Sequence, residues 1–184
     1  MPPKVKITKE KILDTAVDLV RKKEPLNART LASALNCSTQ PLFSNFASMD
    51  ELRLAVLAKA NTLYEEYITR EIESDKYPTY KASGMAYIRF AKEERELFKL
   101  LYMRDRSNED VSEELDFGQR MESIVQNSTG LDPMGVKLFH LEMWAYVHGI
   151  ASMIATGFAD PDTELVSRML TDAYMGMRKQ YKLE

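Results

Sequence analysis

The chain has one cysteine in 184 residues, which excludes an internal disulfide and fits a reducing compartment. Glycine and proline are scarce, at seven each. With so few turn signals and few β-branched runs, an all-α chain is expected. No apolar run approaches the length of a membrane span. The opening MPPKVKITKEK is basic but has no apolar stretch, so a secretory signal is not expected and a cytoplasmic protein without a membrane partner is. There is no Gly-rich phosphate loop, no Ser/His/Asp ordering and no HExxH. Carboxylates are plentiful, but they fall on helix faces that read as solvated. No catalytic residue, metal ligand or cofactor is therefore expected, and an all-α enzyme has no constellation to support it.

What the chain does have is an uneven charge. The whole carries −3, which taken alone argues against nucleic acid. Residues 1–50, however, hold eight Lys/Arg against five Asp/Glu, a net of +3, and the remainder holds −6. Screening acts over about 8 Å at physiological salt, so a remote acidic body hardly cancels a local basic face. Lys4, Lys6 and Lys9 read either as a solvated arm or as direct phosphate contacts.

The stretch Asn27–Phe46, NARTLASALNCSTQPLFSNF, breaks into two short helical patterns around a corner. Asn27 can cap the first, where Leu31, Ala32 and Leu35 recur at helical spacing. Asn36 stands at the corner, and asparagine enters the left-handed region at low cost. Ser38 can cap the second, whose apolar face is Leu42, Phe43 and Phe46, with Pro41 tolerated in its first turn. An αα-hairpin packed for stability alone fits this pattern, as does a helix-turn-helix. The residues left over favour the latter: Arg29, Ser38, Thr39, Gln40, Ser44 and Asn45 face outward, short, polar and suited to phosphates and base edges.

Residues 8–60 resemble the N-terminal domain of the TetR/AcrR family of transcriptional regulators. The likeness runs through Ile12, Leu13 and Ala16, then Thr30-Leu31-Ala32, Asn36-Cys37-Ser38, Leu42-Phe43 with Phe46, and Ser48 with Glu51-Leu52. The family usually has glycine in place of Asn36, tyrosine in place of Phe43, histidine in place of Asn45 and lysine in place of Met49. Its tyrosine hydroxyl and lysine commonly hold phosphates, and both are missing here. The resemblance therefore implies DNA contact by Arg29, Ser38, Thr39, Gln40, Pro41, Phe43, Ser44 and Asn45 with fewer side-chain phosphate anchors. More dependence is expected on backbone N–H groups at the Ser38 helix start and on the Lys4–Lys11 arm. Cys37 reads as a buried small residue.

Thr8 can cap a first helix that ends at Pro25. Ser48 and Glu51 form a capping box that opens a long helix to about Ile72. Lys76-Tyr77-Pro78 interrupts, and Thr79 can cap the next helix, which continues into a short one where the family often has proline at the position of Arg95. The run from Arg104 to Asp110 reads as a solvated loop, followed by a helix from about Glu109 to Gln126. Asp132 and Pro133 open a helix to Gly157 that is apolar on much of its circumference, and Asp160-Pro161 opens the last.

Two long apolar helices at the end of such a chain can form half of a four-helix bundle with a second copy, and the family dimerises in this way. Trp144 with His148-Gly149 makes a W-x3-H-G segment resembling one group of the family's C-terminal domains. His140 and His148 are about 12 Å apart along a helix, too far for one ion. A core histidine bonded to a carbonyl or carboxylate is expected instead, and Gly149 is expected to permit close helix packing. All eleven methionines except Met1 and Met49 lie after residue 80. They read as plain core or, on the family resemblance, as an adaptable pocket lined by Met85, Phe90, Tyr102, Phe117, Met121, Trp144 and His148.

Together these observations lead to an all-α chain of about nine helices. A helix-turn-helix domain is expected at 1–50 and an effector-binding and dimerisation domain at 51–184. The expected function is that of a ligand-responsive repressor. It would bind a palindromic operator in double-stranded DNA as a homodimer through its last two helices, and a small apolar effector would release it. The alternative is a helical binding module with weak or lost DNA binding.

Overall fold

The computed structural model describes residues 7–105 and 114–183, with their side chains except at 114–118. Among the described residues the chain is all helix, with no strand. The elements are α1 (Lys9–Arg21), α2 (Ala28–Ala34), α3 (Gln40–Asn45), α4 (Met49–Glu73), α5 (Thr79–Glu93), α6 (Arg95–Tyr102), α7 (Glu114–Thr129), α8 (Pro133–Thr156) and α9 (Thr163–Gln180). Among the described residues the expected all-α architecture of about nine helices is the one found. Lys4, Lys6, the Leu115 and Phe117 side chains, the charged run beyond Asp105 and the expected helix start at Glu109 lie outside the described residues.

Packing divides the chain into two compact units, and not at residue 50. The first runs up to Leu63 and takes in Glu94–Met103; the second comprises Tyr64–Glu93 and the described residues from Arg104 onward. The chain passes from one unit to the other inside α4 and back again between α5 and α6.

In the first unit α1 packs on α2, α3 and α6. Its stripe of Ile12, Ala16, Val17 and Leu19 is buried, as are Leu31, Leu42, Phe46, Leu97 and Phe98. Arg21 holds Glu94 through two charge-assisted hydrogen bonds of 2.8 and 2.7 Å. The bond to Glu94 is the main reason that the Arg21 guanidinium is held charged even more firmly than usual. Lys23 pairs with Glu96 at 3.4 Å, and Lys59 pairs with Asp14.

The helix ends follow local chemistry. Thr8 Oγ1 accepts the Lys11 N–H at 3.2 Å. Asn27 Oδ1 accepts the Arg29 and Thr30 N–H groups at 3.0 Å and the Thr30 hydroxyl at 3.2 Å. Asn36 is left-handed, with φ 51. Its N–H bonds the Ser33 carbonyl and that of Cys37 bonds the Ala32 carbonyl, which closes α2 in a Schellman motif. The same motif ends α1 before Pro25 is reached. Lys23 has φ 60, and the Lys23 and Glu24 N–H groups bond the Val20 and Leu19 carbonyls.

Several starts differ from expectation. Ser38 does not cap α3; the cap residue is Thr39, whose backbone is already helical and whose side chain makes no cap bond. Glu51 takes the N–H of Ala47 at 2.6 Å rather than that of Ser48, while Ser48 Oγ accepts the Glu51 N–H at 3.1 Å. Thr79 is the first residue of α5 and not its cap, and the Ala82 N–H bonds the Pro78 carbonyl. Asp162 caps α9, accepting the Leu165 N–H at 2.7 Å. Asp160 instead pairs with Lys92 at 2.7 Å.

In the second unit α5 packs against α7, α8 and α9 and is buried on most of its circumference. A Cβ at Gly84 would meet Leu170 Cδ1 at 3.3 Å, so glycine lets α9 approach there. Among the described residues Gly149 has nothing within 4 Å of that position, so it makes no close packing with them. Phe139 lies at the centre of an apolar cluster with Val125, Val136 and Met143, capped by Tyr174 and Tyr181. Glu71, only 2% exposed, is paired with Arg89 at 2.7 Å.

The two asparagines do different work, and substitution separates them. Asn27→Ala is expected to lower stability by about 1 kcal/mol through loss of the cap. Asn36→Ala is expected to cost about 1–2 kcal/mol, because a plain β-carbon is strained at positive φ, whereas Asn36→Gly stays within about 0.5 kcal/mol of the parent. Urea unfolding midpoints check all three.

Candidate functional site

Each unit carries one candidate surface. In the first, α2 and α3 form the helix-turn-helix. Arg29, Ser38, Thr39, Gln40, Phe43 and Ser44 are exposed; Pro41 and Asn45 are half-buried. Leu42 and Phe46, four apart, face inward. Phe43, expected on the apolar face, is instead 50% exposed, because it lies one residue round the helix from Leu42. Gln40, Phe43 and Ser44 therefore share the outward face.

Much of the hydrogen-bonding capacity there is already used. Ser44 Oγ donates to the Gln40 carbonyl at 2.9 Å and Asn45 Nδ2 to the Pro41 carbonyl at 2.8 Å. The Leu42 and Phe43 N–H groups both bond the Thr39 carbonyl, and Pro41 has no N–H. The expected supply of backbone donors at this helix start is thus reduced by Pro41 and by the Leu42 bond. Lys9, expected in the arm, begins α1; it pairs with Glu51 at 3.7 Å and lies 4.7 Å from the Phe46 ring centroid. Cys37 is half-buried rather than buried. Among the described residues, Arg29 and Lys11 have no carboxylate partner.

The second unit holds a cavity of about 540 Å³. Helix α4 contributes Tyr64. From Pro78 and α5 come Thr79, Tyr80, Lys81, Ser83, Gly84 and Tyr87. Helix α7 adds Met121, Ile124 and Ser128, and α8 adds His140, Met143, Trp144 and Val147. The wall is completed by Leu170, Thr171, Tyr174 and Met175 of α9. Of the residues expected in the pocket, Met121 and Trp144 line it. Met85 and Phe90 are buried and off the wall; Phe90 packs on Tyr64 and Tyr67. Tyr102 belongs to the first unit and packs on Phe98. His148 is off the wall but touches it twice, through Tyr87 and through Trp144.

Two polar pairs join α5 to α8. Tyr80 Oη lies 2.9 Å from His140 Nδ1, and Tyr87 Oη lies 2.8 Å from His148 Nδ1. The rise from 80 to 87 matches the rise from 140 to 148, so the two helices run in the same direction. Trp144 stacks on His148, with centroids 4.9 Å apart and planes 15° from parallel, and His148 Nε2 lies 3.3 Å from Ser152 Oγ. The expected carbonyl or carboxylate partner is replaced by a hydroxyl in each case. Burial pushes both imidazoles below their ordinary range, opposed at His140 by the charge of Glu122. Burial, with Tyr174 nearby, raises the Tyr80 phenol well above its usual range, so it stays neutral. Among the described residues no cluster of His, Cys, Asp and Glu could hold a metal ion.

The sequence matches the model of the tetracyclin repressor-like C-terminal domain over residues 80–173. The chain belongs to the tetracyclin repressor-like family. Among solved structures it is similar to a TetR-like transcriptional regulator from Rhodococcus sp. RHA1, with 16% identity, 98% of each chain covered and a TM-score of 0.71. It is also similar to the multidrug binding protein EbrR complexed with imidazole, with 19% identity, 90% of this chain and 88% of that one covered and a TM-score of 0.62. These likenesses show a shared fold. No curated protein matches the sequence.

The matched domain spans most of the cavity wall, and the wall residues that sequence reasoning missed explain themselves. Tyr80, Tyr87, Gly84 and Lys81 sit on an α5 buried nearly all round, where no amphipathic stripe marks a cavity side. The seven-residue spacing of the tyrosines against the eight-residue spacing of the histidines was the available signal, and it needs the α5–α8 register to be used.

The histidines predict a pH dependence. Their folded pKa values lie below the ordinary 6.5, so the unfolded chain binds protons first on acidification. Their contribution to stability is complete above about pH 6.5 and is lost as pH falls from there through the folded pKa values. Urea midpoints measured at descending pH should fall across that window, and His140→Gln with His148→Gln should flatten the decline.

Proposed function

We propose that this protein is a ligand-responsive, DNA-binding transcriptional repressor that acts as a homodimer on a palindromic operator and is released by a small apolar effector. One observation carries the reading. A single chain combines a helix-turn-helix with a polar outward face and a separate helical unit holding a 540 Å³ cavity, within the size range of small-molecule sites.

Arg29, Ser38, Thr39, Gln40, Pro41, Phe43, Ser44 and Asn45 form the DNA surface. Gln40 is the side chain best suited to a base edge, since a glutamine amide matches adenine in the major groove. Arg29 is the phosphate contact. Trp144 and Met121 contact the effector, and an occupied cavity shifts a two-state equilibrium of the heads. A specific observation favours a second reading, a binding module with weak DNA affinity. Phe43 has no hydroxyl to offer a phosphate, Met49 stands at the first position of α4 without a charge, and the Ser44 and Asn45 donors are bonded to their own helix.

The dimer is supported by apolar surface left on the last two helices. On α8, Leu138 is 47% and Leu141 is 58% exposed, and with Ala145, Gly149 and Met153 they follow one another at helical spacing. On α9, Leu165 and Met175 are 49% and 57% exposed. Gly149, open among the described residues, would let a second α8 approach closely.

A gel-shift titration with the DNA upstream of its own gene should show sequence preference and a salt slope of about 0.9 per phosphate neutralised. Phe43→Tyr with Met49→Lys should tighten binding about tenfold and steepen the slope by about one per added lysine contact. Gln40→Ala should cost about 1–3 kcal/mol at a single base pair. Absence of both preference and slope would discard the repressor reading in favour of the weak-binding module. For the dimer, Leu141→Arg should shift sedimentation from two copies to one, with the helical circular dichroism unchanged.

A further inference from the structure

The cavity wall is chemically lopsided. It presents the rings of Tyr64, Tyr80, Tyr87, Trp144 and Tyr174 with methionine and aliphatic groups between them, and among its described residues there is no Asp or Glu. Five of its hydroxyls are bonded within the protein. Tyr80 and Tyr87 are bonded to the histidines, Ser83 and Ser128 donate to backbone carbonyls, and Thr171 donates to the Ser167 carbonyl. A ligand rich in neutral polar groups would find few open partners.

One cation stands on this wall. Helix α5 carries three, Lys81, Arg89 and Lys92. Arg89 has Glu71 at 2.7 Å and Lys92 has Asp160 at 2.7 Å. Lys81, the one that lines the cavity, has no carboxylate partner among the described residues. Its Nζ donates to Thr171 Oγ1 at 2.8 Å and lies 4.8 Å from the Tyr77 ring centroid. An ammonium has three donors, so it keeps capacity for a ligand. The imidazole of His140, depressed by burial, adds no second charge at neutral pH. Glu122, whose charge reaches His140, is not on the wall.

We propose that the effector is an amphipathic monoanion, an apolar and preferably aromatic body bearing a single carboxylate or sulfonate. The Lys81 ammonium holds the anionic head while the body fills the space among Tyr80, Tyr87, Met143 and Trp144. This rests on the reading of the cavity as the effector site and adds the charge of its occupant. The Lys81 charge selects against cations, and the apolar wall against small hydrophilic anions.

Two fluorescent dyes of one scaffold separate charge from shape: 1-anilinonaphthalene-8-sulfonate, which is anionic, and N-phenyl-1-naphthylamine, which lacks the sulfonate. With the full chain, the anionic dye should bind more tightly than the neutral one. In Lys81→Met the ratio of the two affinities should fall about tenfold, the scale of losing one charge-assisted hydrogen bond. Lys81→Arg should restore most of it, and Lys81→Glu should invert the preference. Equal affinities in the parent, or a ratio that ignores Lys81→Met, would overturn the monoanion while leaving the pocket in place. Ile124→Trp fills the cavity from α7 and should displace both dyes; binding that survives it overturns the pocket and the monoanion together.

Discussion

Two hydrogen bonds between tyrosine hydroxyls and imidazole nitrogens, Tyr80 with His140 and Tyr87 with His148, hold α5 to α8 in one register. Apolar packing alone tolerates a slide of one helix along another, because one methyl is much like the next. A half-buried phenol and imidazole do not, since a shift of one residue would leave both without partners in a medium where an unmet hydrogen bond is costly. The register places Gly84 opposite Leu170 and Val147 and leaves Trp144 stacked on His148 beside the cavity. The cavity is thus a consequence of where two polar pairs lock, with large apolar side chains around them.

The first unit is held by a different balance. Its basic residues looked, in the sequence, like a reserve for phosphates. In the fold Lys9, Arg21 and Lys23 of the basic stretch 1–50 meet carboxylates within the same unit, as do Arg53 and Lys59 beyond it. Exposed pairs of this kind add little stability, but they reduce the charge available to DNA. The outer face of α3 shows the same economy, with Ser44 and Asn45 bonded to their own helix. On the proposed DNA-binding reading, recognition there leans on Gln40, on Arg29 and on the apolar ring of Phe43. Helix α6, which follows α5 directly, packs in this unit against α1 through Arg21 and Glu94.

Local chemistry was legible wherever one residue settles one backbone group. Thr8, Asn27, Asp132 and Gly157 cap as read, and Asn36 turns the corner with positive φ. Failures came where two residues competed for a role. Ser38 and Thr39 both could start α3, and the backbone of Thr39 was already helical. Asp160 and Asp162 both could start α9, and Lys92 took the former. Lys23 closed α1 in a Schellman motif before Pro25 was reached. In the pocket, Met121 and Trp144 were named on residue type and the family resemblance, but Met85 and Phe90 could not be excluded, since a helix buried on all sides gives no sign of which side faces a void.

By itself the sequence determined the helical class, the number and rough extent of the helices, the helix-turn-helix and its corner, because these depend on contacts within about four residues. Tertiary structure alone decided the packing boundary inside α4, the pairing of histidines with tyrosines, the outward turn of Phe43 and the presence of Lys81 on a cavity wall without a counter-charge among the described residues. Each of these depends on which residues meet across tens of positions, and the same short-range pattern is compatible with several such meetings.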